Sequence, residues 1–172
     1  MSFEFSRRNF LKYTAVAAVA VAGASLFTGC AADADNIILS GAGMLDVLNI
    51  TATMGTYSES SKTYTAPDIT GKTIVFPMKI TNERTNPISI NPYNFKAIVV
   101  DAENKTLAKY TFSNGLNLAA SLIDTNLKNG SSVEGNVTLT LSTVLTKDQS
   151  VILTYCPDLQ YNEYSMSWKL TR

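Results

Sequence analysis

Apolar and polar residues alternate along most of this chain from residue 45 to its end, and this alternation restricts the fold more than any other feature. In the clearest case, residues 164–170, the apolar Tyr, Met, Trp and Leu are separated by Ser, Ser and Lys. Because successive side chains of a β-strand point to opposite faces, a period of two predicts strands with one buried face. Further runs of this kind occupy residues 48–54, 74–80, 95–99, 107–112, 137–141 and 151–155. Roughly seven to nine short strands joined by turn signals predict an all-β antiparallel sandwich or barrel, with Trp168 in its core.

The segments between these runs are less uniform. Residues 58–71 are rich in Ser, Thr, Lys and Gly and are predicted to form a loop. Pro77 cannot donate to a sheet ladder, which predicts an edge position or a bulge there. A hairpin tip is predicted at residues 101–105 and a tight turn at Asn129-Gly130. Residues 113–128 fit either a short helical turn or irregular chain.

The N-terminus carries basic residues followed by a moderately apolar run from Tyr13 to about Thr28, the pattern of an export signal. This run is short for a permanent membrane span, which needs roughly 20 apolar residues. The sequence from Ser6 to Lys12, Ser-Arg-Arg-Asn-Phe-Leu-Lys, resembles the twin-arginine export signal at every consensus position. This resemblance makes Arg7 and Arg8 the export residues and implies a pathway that carries already folded proteins. The alternative is an ordinary secretory signal with two adjacent arginines.

The apolar run ends in Phe27-Thr28-Gly29-Cys30, which resembles the cleavage box of bacterial lipoproteins, with Phe27 where leucine is usual. The resemblance implies that the Cys30 thiol receives diacylglycerol, and two acyl chains anchor a protein stably to a membrane. We therefore expect a signal peptide at 1–29, a lipidated tether at 30–43 and a domain at 44–172, on the extracytoplasmic face of the cell membrane. The apolar patch at residues 37–39 is compatible with docking on the domain as a short edge segment. The alternative is a signal cut elsewhere, with Cys30 an incidental thiol.

Charge excludes one class of partner. The chain has 14 basic and 14 acidic residues, and removing residues 1–29 leaves 11 and 13, a net charge near −2. Nucleic-acid binding needs a clustered basic face, so no nucleic acid is expected as a partner. Attraction to anionic lipid headgroups is equally weak, so membrane binding depends on the anchor at Cys30.

The chain has no histidine, which removes Ser-His and Cys-His catalysis and most transition-metal sites. Cys156 is predicted to be a small buried apolar residue, and a Cys30–Cys156 disulfide is open only if Cys30 is not acylated. Asp101, Glu103 and Asn104 offer oxygens to a hard cation, but a solvated hairpin tip explains them better. We therefore expect no catalytic residues, no cofactor and no metal, and the protein is predicted not to be an enzyme.

Several segments resemble an immunoglobulin-like domain of unknown function that is common in bacterial lipoproteins and is sometimes mislabelled after a telomeric repeat-binding factor. The resemblance covers about residues 44–170. It is carried by Thr81-Asn82, Pro87-Ile88-Ser89-Ile90, Phe95, Asp101, Leu127-Lys128-Asn129-Gly130, Val133-Glu134-Gly135-Asn136-Val137 and Val151-Ile152-Leu153-Thr154-Tyr155-Cys156-Pro157. The family usually has proline where this chain has Asn129. The resemblance implies an immunoglobulin-like antiparallel β-sandwich at the cell surface, and it implies no chemistry.

These observations favour a non-catalytic binding or structural module for a protein or cell-envelope partner. Tyrosines in the variable stretches could anchor such contacts or could be structural; they are Tyr57, Tyr64, Tyr93, Tyr161 and Tyr164. The alternative is a lipoprotein that captures a small ligand for a transporter or sensor, which predicts a pocket. A hydrolase with a Ser-Lys pair is the third and weakest hypothesis.

Overall fold

The computed structural model describes residues 36–157 and 164–172. Nearly all regular structure in these residues is β, and the only helical elements among them are single 3-10 turns at Pro92–Asn94 and Ala120–Leu122. The strands are β1 (Asn36–Ser40), β2 (Gly43–Val47), β3 (Ile50–Met54), β4 (Thr56–Ser58), β5 (Thr63–Thr65), β6 (Thr73–Asn82), β7 (Ile88–Ile90), β8 (Phe95–Val100), β9 (Thr106–Tyr110), β10 (Leu116–Leu118), β11 (Asp124–Leu127), β12 (Ser132–Thr140), β13 (Ser150–Tyr155) and β14 (Ser165–Thr171).

Two five-stranded sheets make up most of the fold. The first has the spatial order β1-β14-β13-β8-β9 and the second β10-β12-β6-β3-β2. All strand pairs within them are antiparallel except β1 with β14, which is parallel. Two small two-stranded sheets, β11-β7 and β4-β5, flank them. The predicted all-β antiparallel sandwich is therefore confirmed.

The core lies between the inward faces of the two large sheets, where the alternating apolar residues of both meet. Trp168, Tyr155 and Phe76 are its largest buried side chains, each with no exposed surface. The Trp168 indole N–H donates to the carbonyl oxygen of Gly43 at 3.2 Å, which satisfies its polar atom and joins β14 to β2. The prediction that Trp168 is a core residue is confirmed.

The prediction for Pro77 is wrong, because its strand lies inside the sheet and pairs with β12 without a register shift. The neighbouring strand β3 ends at Met54, opposite Met78. The Pro77 carbonyl accepts a hydrogen bond from the Gly55 N–H at 2.9 Å, so the side of Pro77 that lacks a donor faces the chain just beyond β3. The missing hydrogen bond therefore falls where the β3–β6 ladder has already ended.

The region predicted as a tether contributes directly to the sandwich. Residues 36–40 form β1, whose pairing runs from Asn36 beside Ser165 to Ser40 beside Lys169. The apolar patch at residues 37–39 thus lies on the edge of the first sheet, as the sequence allowed. Leu39 packs against the core beneath Gly43, so the domain includes residues that were assigned to the tether.

Two other segments are more ordered than the sequence indicates. The predicted loop at 58–71 contains β5, which pairs with β4 as a hairpin, so that prediction is wrong in part. Residues 113–128 contain β10, one 3-10 turn and β11. Packing orders residues 113–128, because Leu116, Leu122 and Leu127 are each almost fully buried in the main core.

Buried amides hold the turns at the ends of the sheets. The Asn82 side-chain amide donates to the carbonyl oxygens of Asn86 and Leu127, and its oxygen accepts from the Arg84 N–H. A buried polar side chain is tolerated only when its hydrogen bonds are satisfied, and Asn82 meets this condition with three partners. This network connects the end of β6 to β11.

Tyr155 is the exception, since its buried hydroxyl has no hydrogen-bond partner within the described residues. Its ring packs against Phe95, with ring centroids 4.9 Å apart. Burial raises the pKa of the Tyr155 phenol above its usual range. The neutral phenol is therefore strongly favoured in the folded state.

We expect Tyr155→Phe to raise the free energy of unfolding by about 1 kcal/mol at neutral pH, because it removes an unpaired buried hydroxyl. Above pH ~10 the unfolded wild-type chain releases the phenol proton while the folded chain keeps it, so wild-type stability falls as pH rises. The variant lacks this loss, so its advantage should grow above pH ~10. Urea denaturation at several pH values measures both effects.

Tyr110→Phe is the matched control, because the Tyr110 hydroxyl lies 3.3 Å from the Ser142 hydroxyl. Removing this partnered hydroxyl should cost about 0.5–1.5 kcal/mol. Equal destabilisation of both variants would contradict the unpaired state of Tyr155.

Candidate functional site

A hairpin overhangs the outer face of the second sheet, and the two together form a concavity on the surface that the structure describes. Its strands, Thr-Tyr-Ser and Thr-Tyr-Thr, carry β-favouring residues around a polar turn at 59–62. Hydroxyl contacts stabilise this turn, with Ser58 3.0 Å from Ser60 and Ser61 2.6 Å from Thr63. The register places Tyr57 directly opposite Tyr64. Their ring centroids lie 5.0 Å apart at an interplanar angle of 49°, a favourable aromatic geometry.

Gly55 directs the chain from β3 into this hairpin. Its φ of +103° belongs to the region that favours glycine. A Cβ atom there would lie 2.7 Å from the Thr65 carbonyl oxygen and 2.7 Å from the Ala42 Cβ. Only glycine permits this approach, so the position of the hairpin over the sheet depends on Gly55.

The outward residues of β6 and β12 form the floor beneath the tyrosines. Lys79 lies opposite Glu134, and the Lys79 Nζ is 2.9 Å from a Glu134 carboxylate oxygen. Pro77 lies opposite Asn136, two residues along each strand and therefore on the same face. Thr53 on β3 completes the floor and is buried.

Two pKa shifts describe the electrostatics of this groove. The hydrogen bond from Lys79 to Glu134, together with the charge of that carboxylate, raises the pKa of the Lys79 ammonium. Burial raises the pKa of the Tyr64 phenol, and the nearby Tyr57 adds to this effect. At neutral pH the groove therefore presents the Lys79–Glu134 ion pair and the neutral phenol of Tyr64.

We call this concavity the tyrosine groove. Its volume is about 460 Å³ and it is open to solvent. Tyr57 offers an aromatic surface that is 43% exposed, while Lys79, Glu134 and Asn136 offer hydrogen-bond donors and acceptors. An exposed ion pair adds little to stability, so its groups remain available to a ligand at small cost. This combination is suited to binding.

The residues predicted to carry export and lipidation, Arg7, Arg8 and Cys30, lie outside the described residues, as does Tyr161. Cys156 follows β13 and is buried, as predicted. Its backbone N–H donates to the Asn94 carbonyl oxygen, and its carbonyl oxygen accepts from the Asn94 side chain, both at 2.7 Å.

Two of the three side chains that offer oxygens to a cation, Asp101 and Asn104, accept hydrogen bonds from the protein itself. An Asp101 carboxylate oxygen accepts from the Lys105 N–H at 2.7 Å, and the Asn104 side-chain oxygen accepts from the Lys169 Nζ at 2.6 Å. Within residues 36–157 and 164–172, no three acidic or cysteine side chains are grouped to hold a metal. No helix in the same residues is long and apolar enough to cross a membrane.

Of the five tyrosines that the sequence suggested as contact residues, Tyr93 and Tyr164 lie apart from the groove. Tyr93 is 73% exposed and meets the Phe112 ring edge-on, with centroids 6.2 Å apart. Tyr164 packs against the core. The structure therefore brings together Tyr57 and Tyr64, and it adds Lys79 and Glu134, which the sequence analysis missed. The repeated Thr-Tyr pattern on both sides of a polar turn was the signal that could have revealed the hairpin.

Comparison with known families resolves the nature of the N-terminus. Residues 4–24 match the family of TAT (twin-arginine translocation) pathway signal sequences. These residues are a twin-arginine export signal. The predicted signal is thereby confirmed, and it directs export across the cytoplasmic membrane. A search of curated protein sequences found no match to the chain.

Several solved structures resemble the sandwich. The yjhA protein from Bacillus subtilis is 14% identical to this chain, with a TM-score of 0.44. The match covers 74% of this chain and 95% of the yjhA chain. A candidate lipoprotein, ycdA, from the same organism is 15% identical, with a TM-score of 0.41, and the match covers 74% of this chain and 38% of the ycdA chain. An uncharacterized β-sandwich protein from Clostridium difficile 630 is 12% identical, also with a TM-score of 0.41, and the match covers 80% of this chain and 94% of that protein's chain. Identities and TM-scores this low transfer no function to this chain.

Proposed function

We propose that this protein is a membrane-anchored lipoprotein whose β-sandwich is a non-catalytic module that binds a protein or another cell-envelope partner. The export signal supports the extracytoplasmic location. The cleavage box at Phe27-Thr28-Gly29-Cys30 supports a diacylglyceryl anchor on Cys30. The short run between this box and β1, residues 31–35, would hold the sandwich close to the membrane surface.

Strand order supports the immunoglobulin-like assignment within this proposal. The order β10-β12-β6-β3 corresponds to the D-E-B-A sheet of an immunoglobulin sandwich, and β14-β13-β8-β9 corresponds to its G-F-C-C′ sheet. Domains of this architecture expose sheet faces and end loops, and many of them serve at cell surfaces.

The tyrosine groove is the observation that carries the binding proposal. Tyr57 keeps a large part of its ring exposed, although a fully buried position would stabilise the fold more. Aromatic side chains beside charged and amide groups are typical of the energetic centres of binding surfaces. The chain has no histidine, and the charges of Lys79 and Glu134 in the groove compensate each other. Both observations favour recognition of a partner over acid–base catalysis.

Capture of a small ligand for a transporter or sensor is the second candidate, and the volume of the groove favours it. A volume of about 460 Å³ lies within the usual range for small-molecule sites. Such sites usually enclose most of the ligand, whereas this groove is open, which favours a larger partner. A saturable thermal shift with a metabolite library would move the assignment to the small ligand.

We expect Tyr57→Ala to reduce capture of the partner about tenfold or more, because truncating an aromatic residue at the energetic centre of an interface costs about 2 kcal/mol or more of binding. The measurement is chemical cross-linking on intact cells, followed by quantitative mass spectrometry of the captured proteins and envelope components. Tyr93→Ala is the matched control, since Tyr93 is more exposed but lies outside the groove. Equal capture by wild type and Tyr57→Ala would refute the groove as the binding site.

A further inference from the structure

The strand β1 has an outer edge that none of the described strands protects. It pairs with β14 on one side, and within the described residues no strand pairs with its other side. Its sequence, Asn-Ile-Ile-Leu-Ser, contains no charge and no proline. Ile37 and Ile38 are 41% and 38% exposed. An exposed apolar edge of this kind is a template for pairing with another chain.

The other three edges of the two large sheets carry recognised protection. β9 has Lys109 and an irregular register beside Val99 and Val100. β10 is only three residues long, and β2 carries Asp46. Charges, bulges and short length are the devices that keep sheet edges from pairing. Their absence from β1 sets this edge apart among the edges that the structure describes.

The hydrogen-bonding groups of this edge can be assigned from the pairing with β14. The Gly41 N–H donates to the Lys169 carbonyl oxygen, so the backbone groups of Gly41, and of alternate residues before it, point towards β14. The N–H and C=O groups of Asn36, Ile38 and Ser40 consequently point away from β14 to the free edge.

This edge is complementary to itself. We propose that β1 pairs antiparallel with β1 of a second copy of this chain, with a two-fold axis at Ile38. Asn36 then lies opposite Ser40 of the second copy and Ile38 opposite Ile38, which joins all the outward N–H and C=O groups in reciprocal pairs. The polar ends meet polar ends and the apolar centre meets the apolar centre.

The side chains fit the same register. Ile37 and Leu39 share the inner face of the sheet, because they lie beside the core residues Met166 and Trp168. In the proposed pair Ile37 lies opposite Leu39 of the second copy, and aliphatic residues directly opposite stabilise a strand pair. A shift of this pairing by one residue would place residues of the inner face opposite residues of the outer face. The alternation of faces along β1 therefore favours the register with Ile38 opposite Ile38.

The pairing is also compatible with attachment of both copies to one membrane. The two Asn36 residues lie at opposite ends of the strand pair, roughly 14 Å apart at ~3.4 Å per residue. Residues 31–35 precede each of them and reach up to roughly 17 Å when extended. Neither N-terminal segment therefore has to cross the interface.

Disulfide trapping in intact cells tests the proposal with the full chain. Ile38→Cys should form a disulfide-linked dimer under mild oxidation, because residues opposite each other in such a pair have Cα atoms about 5.5 Å apart. Wild type, which has Cys30 and Cys156, gives the background from the native thiols. Leu107→Cys, 48% exposed on β9 at the opposite edge of the sheet, gives the background from random collision.

A dimer band for Ile38→Cys well above both controls supports the proposal, whereas a band no stronger than either control overturns it. A heavier adduct with a different protein in place of the dimer also overturns it, because β1 would then serve another partner.

A charge variant gives a second readout that does not depend on oxidation. Ile38→Lys places two like charges opposite each other on the two-fold axis, so the dimer dissociation constant should rise roughly tenfold or more. Analytical ultracentrifugation of the detergent-extracted chain measures this, with Leu107→Lys as control and circular dichroism to verify the fold. Unchanged dimerisation of Ile38→Lys, or a wild type that is monomeric across the concentration range, contradicts the proposal.

Discussion

Replacing both signal arginines by lysine, Arg7→Lys with Arg8→Lys, is expected to abolish export and leave the full-length precursor in the cytoplasm. The substitution keeps both positive charges, and positive charge is what an ordinary secretory signal requires of its first region. A receptor that reads two guanidinium groups distinguishes arginine from lysine, because the planar guanidinium offers five donors in a fixed geometry and the ammonium does not. Cell fractionation with immunoblotting, together with protease accessibility on intact cells, measures the loss.

Lys12→Arg is the control for this experiment, because it alters a basic residue of the same segment without touching the arginine pair. It should be exported like wild type. Normal export of the double lysine variant would point to the general secretory route and contradict dependence on the twin arginines.

Cys30→Ala is expected to shift the exported domain from almost entirely membrane-bound to almost entirely soluble. Two acyl chains hold a protein stably on a bilayer, since each buried methylene contributes about 0.8 kcal/mol, whereas the alanine variant has no site for them. The mature surface has a net charge near −2 and offers no compensating attraction to anionic lipid. Detergent phase partitioning measures the shift, and intact mass shows whether the wild-type chain begins at a diacylated Cys30.

Cys156→Ala controls for the loss of a thiol as such, because Cys156 is buried in the sandwich. It should remain in the membrane fraction with its lipid. A Cys30→Ala chain that has lost its signal and still stays with the membrane would show that another element provides attachment.

Much of the fold follows from local patterns. The inward residues of β6 and β14 were predicted from alternation, and they are almost fully buried on the inner faces of the two sheets. Trp168 was predicted in the core because it belongs to the clearest of these runs, and the structure places it there with no exposed surface. Alternation is readable from sequence because the side-chain period of a strand is a property of the backbone itself.

Strand placement was less predictable. Pro77 indicated an edge or a bulge, yet β6 is an interior strand. An interior strand tolerates proline when the proline nitrogen, which has no N–H, faces a position where no hydrogen bond of the ladder is needed. For Pro77 this position depends on where β3 ends, about 25 residues earlier in the chain. The rule that proline lacks a backbone N–H is read from one residue, but it carries no information on where the neighbouring strand ends.

The candidate site was the least predictable part. Tyr57 and Tyr64 were among five tyrosines considered, and nothing in the sequence separated them from Tyr93. Their role depends on register within a hairpin of three-residue strands, which are too short to give a clear alternating pattern. Lys79 and Glu134 lie 55 positions apart and meet only because β6 and β12 pair.

The amino-acid sequence by itself determined the route of export and the all-β nature of the domain. Both depend on neighbouring residues, since an export signal is read as a linear segment and alternation is a period of two along one strand. The tertiary structure alone decided that the tyrosine groove exists, that Pro77 lies inside a sheet and that, among the described strands, β1 offers an unprotected edge. These features arise from pairing between distant segments, and the free energy of such pairing depends on the whole packed core rather than on any local run.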